Sequence, residues 1–216
     1  MRAYHLMSEH WALEALKLRR LKLSLLEDMN DPFELLGITL KKPSDRHVFR
    51  KLKTEMNRTI GVLCFSRSWS NPVLWSHYGD RHYGVCLGFD IPDEWAKEVT
   101  YHGNRLESAL EQKLSHNSQE SLGYTLITTK YEHWRYEDEV RMIVRLEDAQ
   151  YVDDHYFIQF CDGLKLREVI TGPRCKLSQK QLLKVVAHED RNVTTIKGRL
   201  AFSSFKVVQK KNTQNA

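Results

Sequence analysis

The sequence predicts an α+β fold: a mostly antiparallel split sheet with flanking helices. Three observations predict it. Runs such as "GVLCFS" (61–66), "YGVCLGFD" (83–90) and "VRMIVRL" (140–146) are rich in β-branched and aromatic residues, as strands are. Other stretches carry apolar residues at helical spacing. The two kinds follow one another without a regular βαβ rhythm, which argues against a doubly wound parallel sheet.

From the start of the chain, "RAYHLM" (2–7) reads as a first strand. Ser8 caps a helix over Glu9–Arg19, in which Trp11, Leu13, Leu16 and Leu18 recur at near-helical spacing. "RLKLSLL" (20–26) alternates like a second strand, and "EDMNDPF" (27–33) is turn chemistry, with Asn30 and Asp31 ahead of Pro32 and Phe33 expected in the core. Residues 41–58 read as a polar helix with Val48, Leu52 and Met56 four apart on one face. Two buried strands follow, on either side of residues 67–82. "DEWAKEVTYHG" (93–103) reads as a short helix turning into a strand, and 104–122 as a polar helix or helical insertion. Order returns over 124–146, with a further strand at "HYFIQFC" (155–161) and a strand followed by a turn at "LREVITGPRC" (166–175). An amphipathic helix capped by Ser178 covers 178–190, and "LAFSSFKVV" (200–208) reads as a last strand. This organisation is one domain over 1–205 with a polar tail over 206–216.

A chain of 216 residues with 41% hydrophobic and 28% charged residues affords a core, and wholesale disorder is excluded. The formal charge of +5 permits a polyanionic partner without requiring one. Cys64, Cys86, Cys161 and Cys175 include no CxxC pair, so neither a zinc ribbon nor a secreted disulfide framework is indicated. No signal peptide and no 18-residue apolar run is evident, which reads as a cytoplasmic protein with no membrane partner.

Three clusters hold side chains suited to chemistry. Tyr4 and His5 lie in the first strand. The segment "WSNPVLWSHYGDRHYG" (69–84) concentrates Trp69, Trp75, His77, Tyr78, His82 and Tyr83 in one connection, which suits a pocket wall as well as a core cap. The third cluster is Glu137, Asp138 and Glu139 at the entrance to a buried strand, where like charges repel. Alternation directs Glu137, Glu139 and Arg141 to one face and Asp138 to the other. Glu137, Glu139, Arg135 and Arg141 also have the composition of an ordinary salt-bridge network. Asp31, Glu34, Asp80 and Asp90 with the two glutamates are the donor types of a hard-cation nuclease site, but their spacing matches no recognised metal loop. His77 and His82 lack an HExxH arrangement, so no metal is expected.

"MNDPFE", "VLCFS", "LWSHYGDRHYGVCLGFD", "KYEHWRYEDEVRM" and "LREVITG" occur in this order and resemble a bacterial family, domain-of-unknown-function family 2971. More distantly, "AYHLMSEHWALEALKLRRLKLS" and "YEDEVRM" resemble the first strand with its following helix, and the catalytic strand, of ADP-ribosyltransferase-type folds. That resemblance implies NAD as substrate, with His5, and Tyr4 beside it, against the adenosine-side ribose. Tyr78 or Ser66 would stand beside the nicotinamide, with Trp75 in the wall. Glu139 would be the catalytic carboxylate and Glu137 the group that orients the acceptor. Arg67 and Ser68 follow "CFS" where such folds carry a Ser-Thr-Ser triplet. The resemblance further implies a macromolecular acceptor, nucleic acid or protein, or simple NAD hydrolysis. The biological setting it implies is a toxin or phage-defence effector with a cognate antitoxin or regulator. The rival reading is a non-enzymatic module whose aromatic loop and basic surface bind nucleic acid or protein. A metal-dependent nuclease stands third.

Overall fold

The structure is a computed structural model describing residues 1–107, 119–186 and 193–211. Its elements are mixed α and β, and most strand pairs are antiparallel. One large sheet runs in the order β13-β12-β11-β4-β1-β3-β8-β5. Its strands are β1 (Arg2–Met7), β3 (Ile60–Ser66), β4 (Val85–Asp90), β5 (Lys97–Glu98), β8 (Glu139–Arg145), β11 (Lys165–Thr171), β12 (Thr194–Leu200) and β13 (Val207–Gln209). A second sheet joins β2 (Arg20–Lys22), β10 (His155–Gln159) and β9 (Gln150–Val152). A two-stranded parallel pair joins β6 (Thr100–His102) to β7 (Thr129–Tyr131).

The large sheet is nearly divided in its middle. β1 pairs with β4 over six positions but with β3 at one, Tyr4↔Ser66. β3 in turn pairs with β8 along its whole length, Ile60↔Arg145 to Ser66↔Glu139. The two halves meet at the Tyr4–Ser66 pair and diverge from it.

Alternation along the strands then decides which helices cover which face. Leu63 and Phe65 of β3, with Leu87 and Phe89 of β4, join the core beneath α1 (Glu9–Leu18) and α5 (Gln179–Val186). Val62 and Cys64 point the other way, towards α2 (Pro43–Thr59) and α4 (Gln119–Ile127). On the same side of the other half, Cys86, Ile170 and Ile196 pack on Trp75 of α3 (Pro72–His77). Ser8 caps α1 as expected, its hydroxyl accepting from Trp11 N, and Ser178 caps α5 through Gln181 N.

Several expectations are corrected. In α2 it is Phe49 and Met56 that are buried, and Val48 and Leu52 lie at the margin of the core. Residues 93–103 form a turn and two short strands rather than a helix and a strand. Of the expected insertion, 108–118 lie outside the described residues, and α4 runs past its end to Ile127. The run 200–208 is no strand. β12 ends at Leu200, the chain turns over 201–206, and β13 returns antiparallel. The polar tail therefore starts later than 206, because Val207 is buried. Phe33 is 59% exposed, and the side chains that turn inward beside it are Glu34 and Leu35.

Candidate active site

The residues of interest converge where the sheet divides. Tyr4, Ser66 and Glu139 are lateral neighbours across β1, β3 and β8, so their side chains share a face. One residue along β1 the ladder is gone, and the His5 ring replaces it, its Nδ1 lying 2.7 Å from Cys64 O. A carbonyl only accepts, so Nδ1 carries the proton and Nε2 keeps its lone pair. Burial lowers the His5 pKa, although the Cys64 contact opposes it, which keeps the ring neutral.

Glu137 ends a 3₁₀ helix (Glu132–Glu137), and Asp138 adopts a left-handed conformation (φ 45°) before β8 begins. This turn, rather than simple strand alternation, aims both flanking glutamates inward and Asp138 outward. Asp138 pairs with Arg67 at 2.9 Å on the surface. Both glutamates are buried and share Lys130, whose Nζ donates to Glu137 Oε2 (2.5 Å) and Glu139 Oε2 (3.0 Å). Arg141, fully buried, grips Glu139 with Nε (2.7 Å) and Nη2 (3.1 Å). Its Nη1 donates to Glu34 Oε1 and to Ile127 O, both at 2.6 Å. The Tyr78 hydroxyl donates to Glu137 Oε1 and accepts from Asn30 Nδ2 (2.9 Å). The expected salt-bridge network thus exists with Lys130 in place of Arg135, which lies at the surface and donates to Tyr101 O.

Three carboxylates (Glu34, Glu137, Glu139) face two cations (Lys130, Arg141) in this network, a formal excess of one negative charge. The two glutamates respond in opposite ways. Burial raises the pKa of both, but Arg141 and Lys130 overcome it at Glu139 and bring that group down to about 2. At Glu137 burial prevails over Lys130 and the Tyr78 hydrogen bond, and its pKa is raised. Burial pulls Lys130 down, but the two carboxylates outweigh it and hold the ammonium charged. Two carboxyl groups whose surroundings push their pKa values apart are the usual basis for dividing acid–base roles.

Open space adjoins this network. A cavity of about 80 Å³ is lined by Tyr4, His5, Ser66, Tyr78, Glu137 and Glu139. A second, of about 190 Å³, shares Tyr78 and both glutamates with it and reaches Glu34, Lys130 and Arg141. A third, of about 460 Å³, shares His5 and Tyr78 and extends to Trp11, Arg20, Lys22 and His155. One end of the cleft is therefore acidic, and the other is aromatic and sets Arg20 and Lys22 beside Glu14 and Asp28. At this second end Lys22 has no carboxylate partner among the described residues, and its Nζ lies 5.0 Å from the Trp11 ring centre and 3.5 Å from His155 Nε2. Arg20 stacks on Phe157 at 3.7 Å and holds Glu14 at 3.1 Å, while its Nε has no partner.

Of the residues singled out from the sequence, Tyr4, His5, Ser66, Tyr78, Glu137 and Glu139 meet around one cavity. Trp75 does not join them. It is fully buried and donates its indole N–H to Trp69 O at 2.6 Å, so it presents no face to a ligand and belongs to the core. Ser66 spends its hydroxyl on Ser68 O (3.0 Å), whereas the Tyr78 hydroxyl faces Glu137. Lys130, Asn30 and Glu34 were not expected in these roles. A lysine after "TLITT", followed seven and nine residues later by acids, was the available signal for the first. Of the nuclease set, Glu34, Glu137 and Glu139 come together, but Arg141 and Lys130 already hold them, and Asp90 stands apart. Asp90 is held by Arg2 and Arg167 at 2.7 Å each, and among the described residues no His/Cys/Asp/Glu group suits a metal.

The fold and site together define an α+β protein whose divided sheet encloses a charged cleft. Residues 74–142 match the model of a family described as "Protein of unknown function (DUF2971)", and this bears out the resemblance noted in the sequence. The matched stretch runs from α3 into β8 and contains Tyr78, Lys130, Glu137, Glu139 and Arg141. No curated protein and no solved structure matches the chain. Among the described residues, no helix is long and apolar enough to cross a membrane.

Proposed function

We propose that the protein cleaves NAD and transfers ADP-ribose to a macromolecule, or to water, on an ADP-ribosyltransferase-like split sheet. The observation that carries this reading is the two-ended cleft at the division between β1 and β3. A dinucleotide would set its cationic nicotinamide ribosyl group against the acidic network and its pyrophosphate and adenine against the aromatic end, where Lys22 has no carboxylate partner among the described residues. Lys22 and Arg20 would meet the phosphates, Trp11 and His155 the adenine, and His5 Nε2 would accept from a ribose hydroxyl.

Cleavage breaks the bond from ribose C1′ to the pyridinium nitrogen. The bonding pair leaves with neutral nicotinamide, and an oxocarbenium-like cation remains, as in glycoside hydrolysis. Glu139, kept ionised by Arg141 and Lys130, supplies a fixed negative charge beside that cation. The acceptor hydroxyl then bonds to C1′ and gives its proton to Glu137, whose raised pKa suits a base. Tyr78 holds Glu137 in place through its hydroxyl.

Incubation of the purified protein with NAD labelled on the adenylate, alone and with nucleic acid or lysate, tests this reading. Release of nicotinamide, with label passing to polymer or to free ADP-ribose, is expected from the wild type, and passage of the label to the acceptor is lost in Glu137→Gln. If nicotinamide is not released, and NAD does not raise the melting temperature, the reading is wrong.

A further inference from the structure

The turn between β12 and β13 carries an unusual surface. Phe202 is 96% exposed and Phe205 97%, with Leu200 beside them at 59%. Residues 193–211 contain five Lys or Arg (Lys197, Arg199, Lys206, Lys210, Lys211) and no Asp or Glu. The turn is held by backbone bonds, Ala201 N to Lys206 O and Lys206 N to Ser204 O, both 2.9 Å, so the rings stand out from an ordered hairpin. Two aromatic rings left in water cost stability unless something covers them.

We propose that this hairpin tip is a docking platform for single-stranded nucleic acid, which deepens the transferase reading by naming its acceptor and rests on that reading to this extent. A solvent-exposed aromatic pair within a wholly cationic segment is what base stacking combined with phosphate contact requires. Arg199 lies over the Phe202 ring at 4.7 Å, leaving the opposite face for a base while the guanidinium remains within reach of a phosphate. Insertion into a lipid surface fits less well. That guanidinium would be carried into hydrocarbon, and Ser203 and Ser204 sit between the two rings at the part of the tip that would go deepest. A second copy of the chain would bring another set of cations to the same place, and repulsion disfavours it.

The platform lies beside the candidate active site. A concavity of about 520 Å³ beneath the tip is lined by Pro72 together with Leu200–Lys206, and Val207 N donates to Ser70 O at 2.8 Å. Pro72 opens α3, while Leu74 of the same helix and Tyr78 immediately after it line the cavity of Glu137 and Glu139. One six-residue helix, roughly 9 Å long at 1.5 Å per residue, separates the two surfaces. A strand stacked on the phenylalanines is thereby led along α3 towards the carboxylates.

The test measures fluorescence anisotropy with end-labelled twelve-nucleotide dT and U strands and a blunt duplex of equal length, and co-sedimentation with phosphatidylserine-containing vesicles. Both single strands, or one of them if the platform discriminates the sugar, should bind with affinity that falls as salt rises, and the duplex should bind more weakly. The double variant Phe202→Ser/Phe205→Ser should lose at least about tenfold in affinity. Both side chains are almost wholly exposed, so its melting temperature should not fall. The same two proteins are then melted with and without NAD. Strand binding without any NAD effect leaves the platform standing and removes the transferase. An NAD effect with equal strand binding by wild type and variant overturns the platform alone. Equal binding of duplex and single strand, or recruitment to vesicles without strand binding, also overturns it.

Discussion

Glu139→Gln should destabilise the fold strongly, and the size of the effect follows from the contacts around Arg141. That guanidinium is fully buried and makes four hydrogen bonds, two of them to Glu139. Glutamine keeps the volume, but its amide nitrogen must turn a donor towards Arg141 or Lys130, which only donate. Removing one partner of a buried ion pair costs about 3–5 kcal/mol. Linkage leads to a similar figure: a drop from the usual 4.5 to about 2 corresponds to about 3 kcal/mol of stabilisation at neutral pH. For a chain of this size each kcal/mol moves the melting temperature by about 2–4 °C, so a fall of about 6–20 °C is expected in a thermal melt followed by circular dichroism. The folded-state pKa of Glu139 is depressed. Its contribution is therefore complete above the usual carboxylate pKa and is lost as pH falls from there towards about 2. Glu137 acts in the opposite sense, since its raised pKa means that protonation on acidification relieves a burial cost. The wild type should thus lose stability across that acid range, and Glu139→Gln should show a flatter limb. A variant melting within 2 °C of wild type at pH 7 would refute the account of the network.

Glu137→Gln removes a carboxylate that burial already disfavours, so its melting temperature should change less than that of Glu139→Gln, while transfer to the acceptor falls on the order of 10²–10⁴-fold; the proposed division of roles fails if the two variants are equally unstable. Asp138→Asn should be nearly silent in both stability and activity, because the Arg67 pair is exposed and asparagine tolerates the left-handed backbone there; a melting shift above about 3 °C would contradict this. Asp31 accepts a hydrogen bond from Phe33 N at 2.9 Å within the turn that delivers Glu34 to Arg141. Asp31→Ala should therefore cost about 1 kcal/mol and lower activity alongside stability, and an inactive variant with an unchanged melting temperature would make Asp31 a site residue instead.

Much of this site was legible in the sequence because it lies on or beside strands whose pattern is strong. β1, β3, β4 and β8 are rich in apolar residues, and the acids at 137 and 139 stand at the entrance to β8, where burial makes a charge expensive. What could not be read was the partner of each charge. Lys130 reaches the glutamates because β7 and the 3₁₀ helix fold back on β8, and Glu34 reaches Arg141 across a sequence separation of 107 residues. Neither contact has a local signature. The left-handed Asp138 also had none, although acidic residues tolerate that conformation better than most. The hairpin over 200–208 was misread for a different reason. Its alternating apolar residues suit a strand, but the "FSSF" tip turns them outward, and propensity does not record which side of a turn faces water.

A salt-bridge network and a catalytic centre are often treated as competing explanations for clustered acids, and under the proposed function one arrangement serves both. If stability alone were served, equal numbers of opposite charges, or apolar residues of like volume, would do as well or better. The network instead holds three carboxylates against two cations, and the unmatched charge lies beside a cavity rather than sealed in the core. The contacts are also unequally shared. Glu139 receives two bonds from Arg141 and one from Lys130, whereas Glu137 receives one from Lys130 and one from Tyr78 and keeps unfilled acceptor positions. The tightly held carboxylate is the one on the strand, and the less saturated one ends the 3₁₀ helix two residues before it. A rigid, permanently ionised group next to a more loosely satisfied group with a raised pKa is a costly way to stabilise a fold. It is an economical way to hold a cation in place while a proton is removed beside it.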